Sequence, residues 1–388
     1  MIRLFILYSL SPLSESFVIK TTLASTKLTQ NEGLSSLLKW RNEPRSIQRS
    51  LQMFERKINS DELVKFIPDV LDALFSILME TEEKDKFNNF ENVVFKNIIK
   101  CISLITEEGS SSSEPGNNRE YLNTREAKAN AKTSAKHHHF IPVLELYIQE
   151  NFYHRLAYEK LLDVLKNIAE NTTIAPRDAE NTMEVLKYIF KFIVRSRLLP
   201  REYDEEGTQE QFEEKLMDVL DALKAIMYYR ANDTQKTQTS CLKNLIASIP
   251  DLSNVISEKS LSNVLKAMFC ALADDQLEAE KMDIIKDLIQ SPLFQDRECR
   301  IIILPEITKV LKGVLERSQT MTLRRNGSTS SSTESRKLLV MCTSTLGEVL
   351  DALYKVNAQN QKEDTDNPGN FLFKEFIELN WSLTLLPK

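Results

Sequence analysis

The chain has 388 residues, and 50 Lys and Arg against 56 Asp and Glu give it a formal net charge of −6 at pH 7. Its 8 Gly and 12 Pro are too few for the many tight turns of a β-sandwich or barrel, and they also disfavour an αβ fold with glycine-rich phosphate loops. The 42% of apolar residues exclude disorder of the whole chain, and the mild acidity argues against a general nucleic-acid binder.

The N-terminus begins with an apolar run, MIRLFILYSL, that contains one arginine, as a secretory signal does. Tyr8 and Ser9 interrupt this run and Pro12 closes it, so it is too short to span a bilayer. Leu23-Ala24 is a poor match to a cleavage site that needs two small residues. The sequence therefore favours a buried strand or helix, or a chain boundary, over a signal peptide.

Apolar residues at helical spacing are the dominant pattern from residue 61 onward. The stripe over 61–80 begins after Asn59 and Glu62, which have the spacing of a capping box, and Pro68 predicts a kink or the start of a second helix. The residues around 182–199 are apolar over more than one face, which predicts a helix buried between neighbours. Ser257 is the predicted N-cap of the helix over 258–273. Other stripes predict helices over 155–170, 212–227 and 339–353.

Three polar segments separate these helices, at 107–136, 317–337 and 357–370. Residues 107–136 have five Lys or Arg against five Asp or Glu and no apolar anchor, which predicts a disordered insertion. Residues 317–337 are basic and rich in Ser and Thr, which predicts a flexible loop. Within them, Arg324 and Arg325 precede Ser328 by four and three residues, the spacing of a basophilic kinase substrate. Ser328 is therefore a predicted phosphorylation site, with a solvated linker as the alternative.

Residues that could support chemistry do not form a recognisable constellation. His137–His139 is the one histidine cluster, and a metal site would need more ligands than His154 can add. The carboxylate pairs Asp218 with Asp221 and Asp274 with Asp275 fall on polar helix faces, as solvated residues do. No phosphate loop, hydrolase elbow or zinc-protease motif occurs in the sequence, so we predict no catalytic, cofactor-binding or metal-binding residue and no cofactor.

The five cysteines lie too far apart in sequence for a zinc knuckle or a redox pair. Each lies in an apolar helical context, which predicts buried, reduced thiols. They are Cys101, Cys241, Cys270, Cys299 and Cys342.

Together, about ten amphipathic helices with polar connectors and no strand between them predict an all-α fold. Such helices bury their apolar faces by stacking as antiparallel pairs. No residue signature recurs at a fixed period. We therefore expect an irregular armadillo- or HEAT-like α-solenoid with a short extended N-terminal segment.

Several short stretches follow one order over residues 15–355, and together they are specific. They are STKLTQN at 25–31, LLKWR at 37–41, ELVKF at 62–66, LDALF at 71–75, HFIPVLE at 139–145, LAY at 156–158, FKFIVRSR at 190–197, and CR at 299–300 before ILP at 303–305. This set resembles the Dock (dedicator of cytokinesis) family of atypical guanine-nucleotide exchange factors. The likeness is stronger to the subfamilies that act on Rac than to those that act on Cdc42.

The resemblance covers one region of such proteins, the armadillo-like helices that follow a lipid-binding C2-type domain. It implies that residues 1–31 are the tail end of that C2-type domain and that 32–106 and 137–316 are helical solenoid. Residues 338–388 would be C-terminal helices with truncated packing, because they end in an apolar stretch. The insertion at 107–136, Pro68 within a helix and the tail after Asn357 depart from the family pattern.

The resemblance also implies a function, that of a scaffold fragment in Rho and Rac small-GTPase signalling linked to the cytoskeleton. The fragment lacks the family's exchange domain, so by itself it would not be an enzyme. The implied partners are Rac through the exchange domain, an Elmo-type adaptor, and membrane phosphoinositide through the C2-type domain, with no nucleic acid. The implied location is the cytoplasm, with recruitment to the plasma membrane by the full-length protein. A self-contained α-solenoid adaptor for protein–protein interaction is the alternative.

Overall fold

The computed structural model describes residues 29–80, 90–110, 140–200, 208–323 and 329–363, and all regular structure within these ranges is helical. The prediction of an all-α fold is confirmed. The described ranges contain sixteen α-helices: α1 (Glu32–Leu38), α2 (Ile47–Lys57), α3 (Ser60–Glu80), α4 (Phe90–Ser110), α5 (Phe140–Leu146), α6 (Ala157–Glu170), α7 (Pro176–Glu184), α8 (Leu186–Leu198), α9 (Thr208–Ile226), α10 (Gln235–Ala247), α11 (Ile249–Leu252), α12 (Glu258–Ala271), α13 (Glu278–Ile289), α14 (Pro292–Gln295), α15 (Arg297–Leu323) and α16 (Thr329–Glu363). Short 3₁₀ turns lie at Trp40–Asn42, Pro44–Ser46 and Asn232–Thr234, and a π-helical turn spans Tyr147–Asn151.

The helices are arranged in three rows, in which each helix contacts the next helix of its own row. The first row is α3, α6, α9, α12 and α15, and the second is α2, α4, α7, α10, α13 and α16. The third row starts at the π-helical turn and continues through α8, α11 and α14. One helix from each row forms a unit, so α6–α8, α9–α11 and α12–α14 are three successive units. This is the predicted irregular α-solenoid.

The unit length explains why no fixed period is visible in the sequence. The first-row helices α6, α9, α12 and α15 begin at intervals of 51, 50 and 39 residues. The third-row helices also differ in length, since α8 has 13 residues whereas α11 and α14 have 4 each. The units therefore repeat the same packing of helices, whereas their lengths differ, so equivalent residues do not recur at a fixed interval in the sequence.

One hydrophobic core runs through the described units, from Leu34 in α1 to Leu353 in α16. Each fully buried Leu, Ile or Phe in it stabilises the fold by about 1.5–3 kcal/mol. Because the same core connects all three rows, each unit is stabilised by its neighbours.

The predicted helix starts are confirmed at two caps. The Oγ of Ser257 accepts a hydrogen bond from the Ser260 backbone N–H at 3.1 Å, at the start of α12. The Oδ1 of Asn59 accepts from the Glu62 backbone N–H at 3.0 Å, as the first half of a capping box does. The Glu62 carboxylate accepts from the Thr29 hydroxyl at 2.8 Å. It therefore ties the segment before α1 to α3.

At Pro68, one of the two predicted alternatives, the start of a second helix, is wrong, and one helix predicted as single is two helices. The helix α3 runs through Pro68 from Ser60 to Glu80, so no second helix begins at the proline. The apolar stripe on both sides of Pro68 is buried in one core, which outweighs the backbone hydrogen bond that proline loses. The single helix predicted over 182–199 is two helices, with α7 ending at Glu184 and α8 beginning at Leu186.

Helix also occupies both ends of the segment predicted as a loop at 317–337, since α15 continues to Leu323 and α16 begins at Thr329. At the other polar segments, α4 continues to Ser110 and α16 to Glu363. Polar composition indicates exposure, and an exposed helix can have the same composition as a loop. Residues 1–28, 111–139, 324–328 and 364–388 lie outside the described residues, and the predictions for them, including the C-terminal helices with truncated packing, stay predictions.

Candidate interaction surfaces

The residues singled out for chemistry lie partly outside the described residues. His137–His139 and Ser328 lie outside the described residues, so phosphorylation of Ser328 stays a prediction. His154 is half-buried and stacks on the ring of Phe75, with ring centroids 5.7 Å apart. In the described part of the chain, no three His, Cys, Asp or Glu residues are placed to hold a metal ion. Nor is any helix described there long and apolar enough to cross a bilayer.

Four of the five cysteines are buried free thiols, as predicted, but Cys270 is exposed on α12. The prediction of burial is wrong there because Cys270 lies next to the apolar stripe of α12, on its outer side, while Phe269 and Met268 are buried. Burial raises the pKa of the Cys241 thiol to about 12 and that of Cys342 to about 11. These two thiols therefore stay protonated and unreactive at neutral pH.

The first candidate surface is the segment 147–156, which an aromatic cluster fixes to the array. Phe75 of α3 lies 4.8 Å from Phe152 and 4.8 Å from Phe192 of α8, measured between ring centroids. Beside it, the Tyr147 hydroxyl donates to the Asp72 carboxylate at 2.6 Å. Burial raises the pKa of Tyr147, so its hydroxyl remains a donor at neutral pH.

This segment also exposes apolar side chains to solvent. Tyr153 is 69% exposed and Leu156 is 52% exposed. The backbone beneath them is held by Ser196 of α8, whose hydroxyl donates to the His154 carbonyl at 2.7 Å and accepts from the Tyr158 N–H at 3.1 Å. The exposed apolar side chains and the fixed backbone make this segment a candidate surface for contact with another protein. We did not predict this surface, because no glycine or proline marks the π-helical turn that precedes it.

A polar cleft of about 360 Å³ lies between α2, α4 and α7. Its cationic side chains already have partners. Lys96 of α4 forms a 2.7 Å ion pair with Asp178 of α7, and Lys100 donates to the backbone carbonyl of Glu55. The cleft therefore links three helices of the second row, and its cations are not free to bind an anion.

Two buried side-chain amides and the guanidinium group of an exposed arginine connect the unit α9–α11 to the unit α12–α14. The Gln276 side chain donates to the Gln238 side-chain oxygen at 2.5 Å and to the Tyr229 carbonyl at 3.1 Å. Arg230 donates to the Gln276 side-chain oxygen at 2.8 Å and to the Ala271 carbonyl at 2.9 Å. These bonds join the loop after α9 to the loop after α12, and so they fix the spacing of the two units.

Ion pairs join successive helices within a row. In the first row, Lys166 and Asp218 pair at 2.7 Å between α6 and α9. In the second row, Lys236 of α10 pairs with Glu180 and Glu184 of α7 at 2.6 and 2.7 Å. Exposed pairs contribute at most about 1 kcal/mol each, so their effect is on the register of the helices rather than on stability.

Comparison with known proteins shows which family this sequence is similar to. The sequence model described as the dedicator of cytokinesis (DOCK) TPR region matches residues 43–113 and 130–369. Its interruption falls inside the segment predicted as an insertion, and the match continues beyond Asn357, where we predicted that the chain diverges from the family.

Curated relatives agree with this match. Dedicator of cytokinesis protein 4 of Mus musculus is 31% identical over 304 residues, which cover 76% of this chain and 14% of that protein. The Homo sapiens protein 4 is 30% identical over the same length and coverage, and the Homo sapiens protein 3 is 28% identical over 303 residues, 76% of this chain and 13% of that protein. The chain thus spans about one seventh of the length of these relatives.

Proposed function

The chain belongs to the dedicator of cytokinesis family, and we propose that its helical array is a scaffold in Rho-family GTPase signalling. In this role it spaces the lipid-binding C2-type part and the exchange part of a Dock-type guanine-nucleotide exchange factor. The names of the relatives and the helical-repeat region that they share with this chain support the family context.

One observation supports the scaffold role most strongly: each described unit is fixed to the next in more than one row. The core is continuous, the Gln238–Gln276 and Arg230–Gln276 hydrogen bonds connect adjacent loops, and ion pairs connect adjacent helices. A set of units with several separate connections resists bending, because bending would break buried hydrogen bonds at a cost of about 1–3 kcal/mol for each unsatisfied group. A spacer between two domains needs this resistance.

The finer parts of the proposal come from the family resemblance. Rac is the GTPase that the exchange part acts on, and an Elmo-type adaptor binds the scaffold. The protein is cytoplasmic and is recruited to the plasma membrane through phosphoinositide binding by the C2-type part. The exposed pair Tyr153 and Leu156 is the apolar surface that we assign to adaptor binding.

We expect this chain alone to leave the rate of nucleotide release from Rac unchanged. Nucleotide exchange requires a surface that enters the switch regions of the GTPase and displaces Mg²⁺ and phosphate. A helical array that binds both nucleotide states of the GTPase with equal affinity does not shift the equilibrium between them. The measurement is the release of a fluorescent guanine nucleotide from Rac, with and without the chain at micromolar concentration.

A Dock-family protein with its exchange domain, assayed in parallel, is the positive control. Release many times faster than the intrinsic rate with the chain alone would place a catalytic surface within these residues. The scaffold proposal would then be wrong.

A further inference from the structure

The exposed side of α2 carries three arginines in one stripe. Arg49 and Arg56 lie two turns apart on α2, with Gln52 between them at helical spacing. Arg45 lies one turn earlier, in the 3₁₀ turn that leads into the helix. All four side chains are exposed, whereas the opposite side of α2 is buried in the core. Arg45, Arg49 and Arg56 form this arginine stripe, and the packing of α2 on the core fixes the direction in which it faces.

No carboxylate forms an ion pair with the arginine stripe in the part of the chain that the structure describes. The cations beside the stripe differ in this respect. Arg41 pairs with Glu80 at 3.6 Å, and Lys57 pairs with Glu32. The stripe therefore presents to solvent three positive charges that have no ion-pair partner among the described residues.

Glu43 and Glu55 are exposed near the stripe, but they lie outside it. Glu55 is on the side of α2 that lines the cleft with α4 and α7. Glu43 precedes the 3₁₀ turn, and its carboxylate accepts a hydrogen bond from the Ser46 hydroxyl at 3.2 Å. The face of the stripe itself therefore carries charge of one sign.

The stripe also lies in the part of the sequence where the charge differs most from that of the whole chain. Residues 39–57 contain six Lys or Arg and two Asp or Glu, whereas the remaining residues contain 44 Lys or Arg and 54 Asp or Glu. An anionic surface therefore attracts this part of the molecule and repels the remainder. Such an asymmetry orients the molecule with α2 toward the anionic surface.

The arginine stripe has the chemistry to bind a layer of anionic groups. Guanidinium groups bind phosphate and carboxylate oxygens with paired hydrogen bonds. From Arg45 to Arg56 the stripe extends about 16 Å along the helix, which is too long for one small anion to fill. None of the large apolar side chains exposed in the described residues lies on α2, so the stripe lacks the apolar centre of a protein interface. A bilayer with anionic headgroups fits these features better than a folded protein does.

We propose that the arginine stripe of α2 is a docking surface for an anionic phospholipid bilayer, on which α2 lies at the level of the headgroups. The apolar side of α2 is buried in the core and does not enter the bilayer, so the contact is electrostatic and reversible. The contact is made by the described helices and needs neither a C2-type part nor a rigid array. Its failure would therefore leave the scaffold proposal unchanged.

Co-sedimentation of the full chain with lipid vesicles tests this proposal. The vesicles contain phosphatidylserine mixed with phosphatidylcholine, or phosphatidylcholine alone. The arginine variant combines Arg45→Gln, Arg49→Gln and Arg56→Gln, which remove the charges of the stripe at exposed positions. The matched control removes the same charge from exposed lysines on three other helices, through Lys243→Gln, Lys266→Gln and Lys309→Gln. Helical circular dichroism shows that each variant is folded.

We expect the parent to bind the vesicles that contain phosphatidylserine and not those of phosphatidylcholine alone. Each Lys or Arg close to an anionic bilayer strengthens binding about fivefold, so the arginine variant should bind about a hundredfold more weakly than the parent. The lysine control should bind as the parent does. Binding should be strong at about 0.1 M salt and lost at about 1 M, where the Debye length falls from about 10 Å to about 3 Å.

Three outcomes would overturn the proposal. The parent does not bind the anionic vesicles, the arginine variant binds them as tightly as the parent, or the lysine control loses as much binding as the arginine variant. The last result would show an effect of net charge alone. Soluble polyglutamate is assayed in parallel, and binding to it without binding to vesicles, lost in the arginine variant, would identify an acidic protein segment as the partner instead.

Discussion

Replacement of Phe75 by alanine is expected to lower the free energy of unfolding by about 3–5 kcal/mol. The Phe75 ring is fully buried and lies between Phe152 and Phe192, at 4.8 Å from each. It therefore joins three parts of the chain: α3, the segment around the π-helical turn, and α8. Alanine leaves a cavity at this junction, and the fixed backbone on either side restricts collapse into it.

The measurement is urea-induced unfolding followed by helical circular dichroism at 222 nm. Tyr153→Ala is the matched control, since it removes an aromatic ring from the same region but from a side chain that is 69% exposed. A change at such a position typically alters stability by about 0.5 kcal/mol or less. Equal shifts in the two variants would show that the aromatic cluster does not hold the segment 147–156 to the array.

Substitution of Lys281 by methionine is expected to remove a dependence of stability on pH. The Lys281 side chain is 2% exposed, and its ammonium donates to the Ala273 carbonyl at 2.7 Å. Burial, opposed by the nearby carboxylate of Asp274, lowers the pKa of Lys281 from 10.5 to about 8. The folded chain thus loses this proton more easily than the unfolded chain does.

The sign of the effect follows from proton binding. Below pH 8 both states hold the proton on Lys281, and between pH 8 and 10.5 the unfolded state holds more of it. The free energy of unfolding therefore rises with pH across this window, by up to about 3 kcal/mol for a shift of this size.

The measurement is the midpoint of urea-induced unfolding at pH 8 and at pH 10.5, for the parent, Lys281→Met and the exposed control Lys243→Met. Other lysines and tyrosines also titrate in this range, and they do so in all three chains. The parent and Lys243→Met should show the same pH dependence, whereas Lys281→Met should lack the part due to this residue. If Lys281→Met shows the same pH dependence of stability as the parent, folding does not lower the pKa of the Lys281 ammonium.

Local patterns were sufficient to predict the helices and several of their ends. The stripe and the N-cap at Ser257 predicted α12 to within two residues at its C-terminus, because both signals depend on neighbours in sequence. The stripe over 61–80 likewise matches α3. Amphipathic spacing alone also predicted the solenoid class, since helices with one apolar face and short connectors must stack.

The break between α7 and α8 could not be predicted, because its cause lies far away in sequence. The side-chain amide of Asn244, on α10, donates to the carbonyls of Met183 and Glu184 at 2.8 and 3.2 Å. These carbonyls end α7, and an ordinary helix would satisfy them internally. No glycine or proline marks the position, and Val185 at the break is buried.

The connections between units were equally invisible in the sequence. Gln238, Gln276 and Arg230 are ordinary polar residues in their local windows, and only the stacking of α10 on α13 brings their side chains together. Leu277 has a left-handed backbone with φ of 54°, at a position where sequence patterns would suggest glycine. Tertiary packing fixes this turn, which also positions Lys281.

The central claim is that the units are fixed relative to one another, and a distance measurement between the two ends of the second row tests it most directly. Spin labels on Arg49→Cys in α2 and Thr343→Cys in α16 report this distance by pulsed electron paramagnetic resonance, since both positions are exposed. Cys270→Ser removes the exposed native thiol from the background. A label pair within α16, at Thr343 and Lys355 and about 18 Å apart, gives the width expected of a rigid element.

A rigid scaffold predicts a single distance maximum between α2 and α16, nearly as narrow as that of the pair within α16. Phe75→Ala in the same background should broaden it, because the first units would then move against the rest. A broad distribution, or several maxima, in the parent chain would contradict the scaffold account.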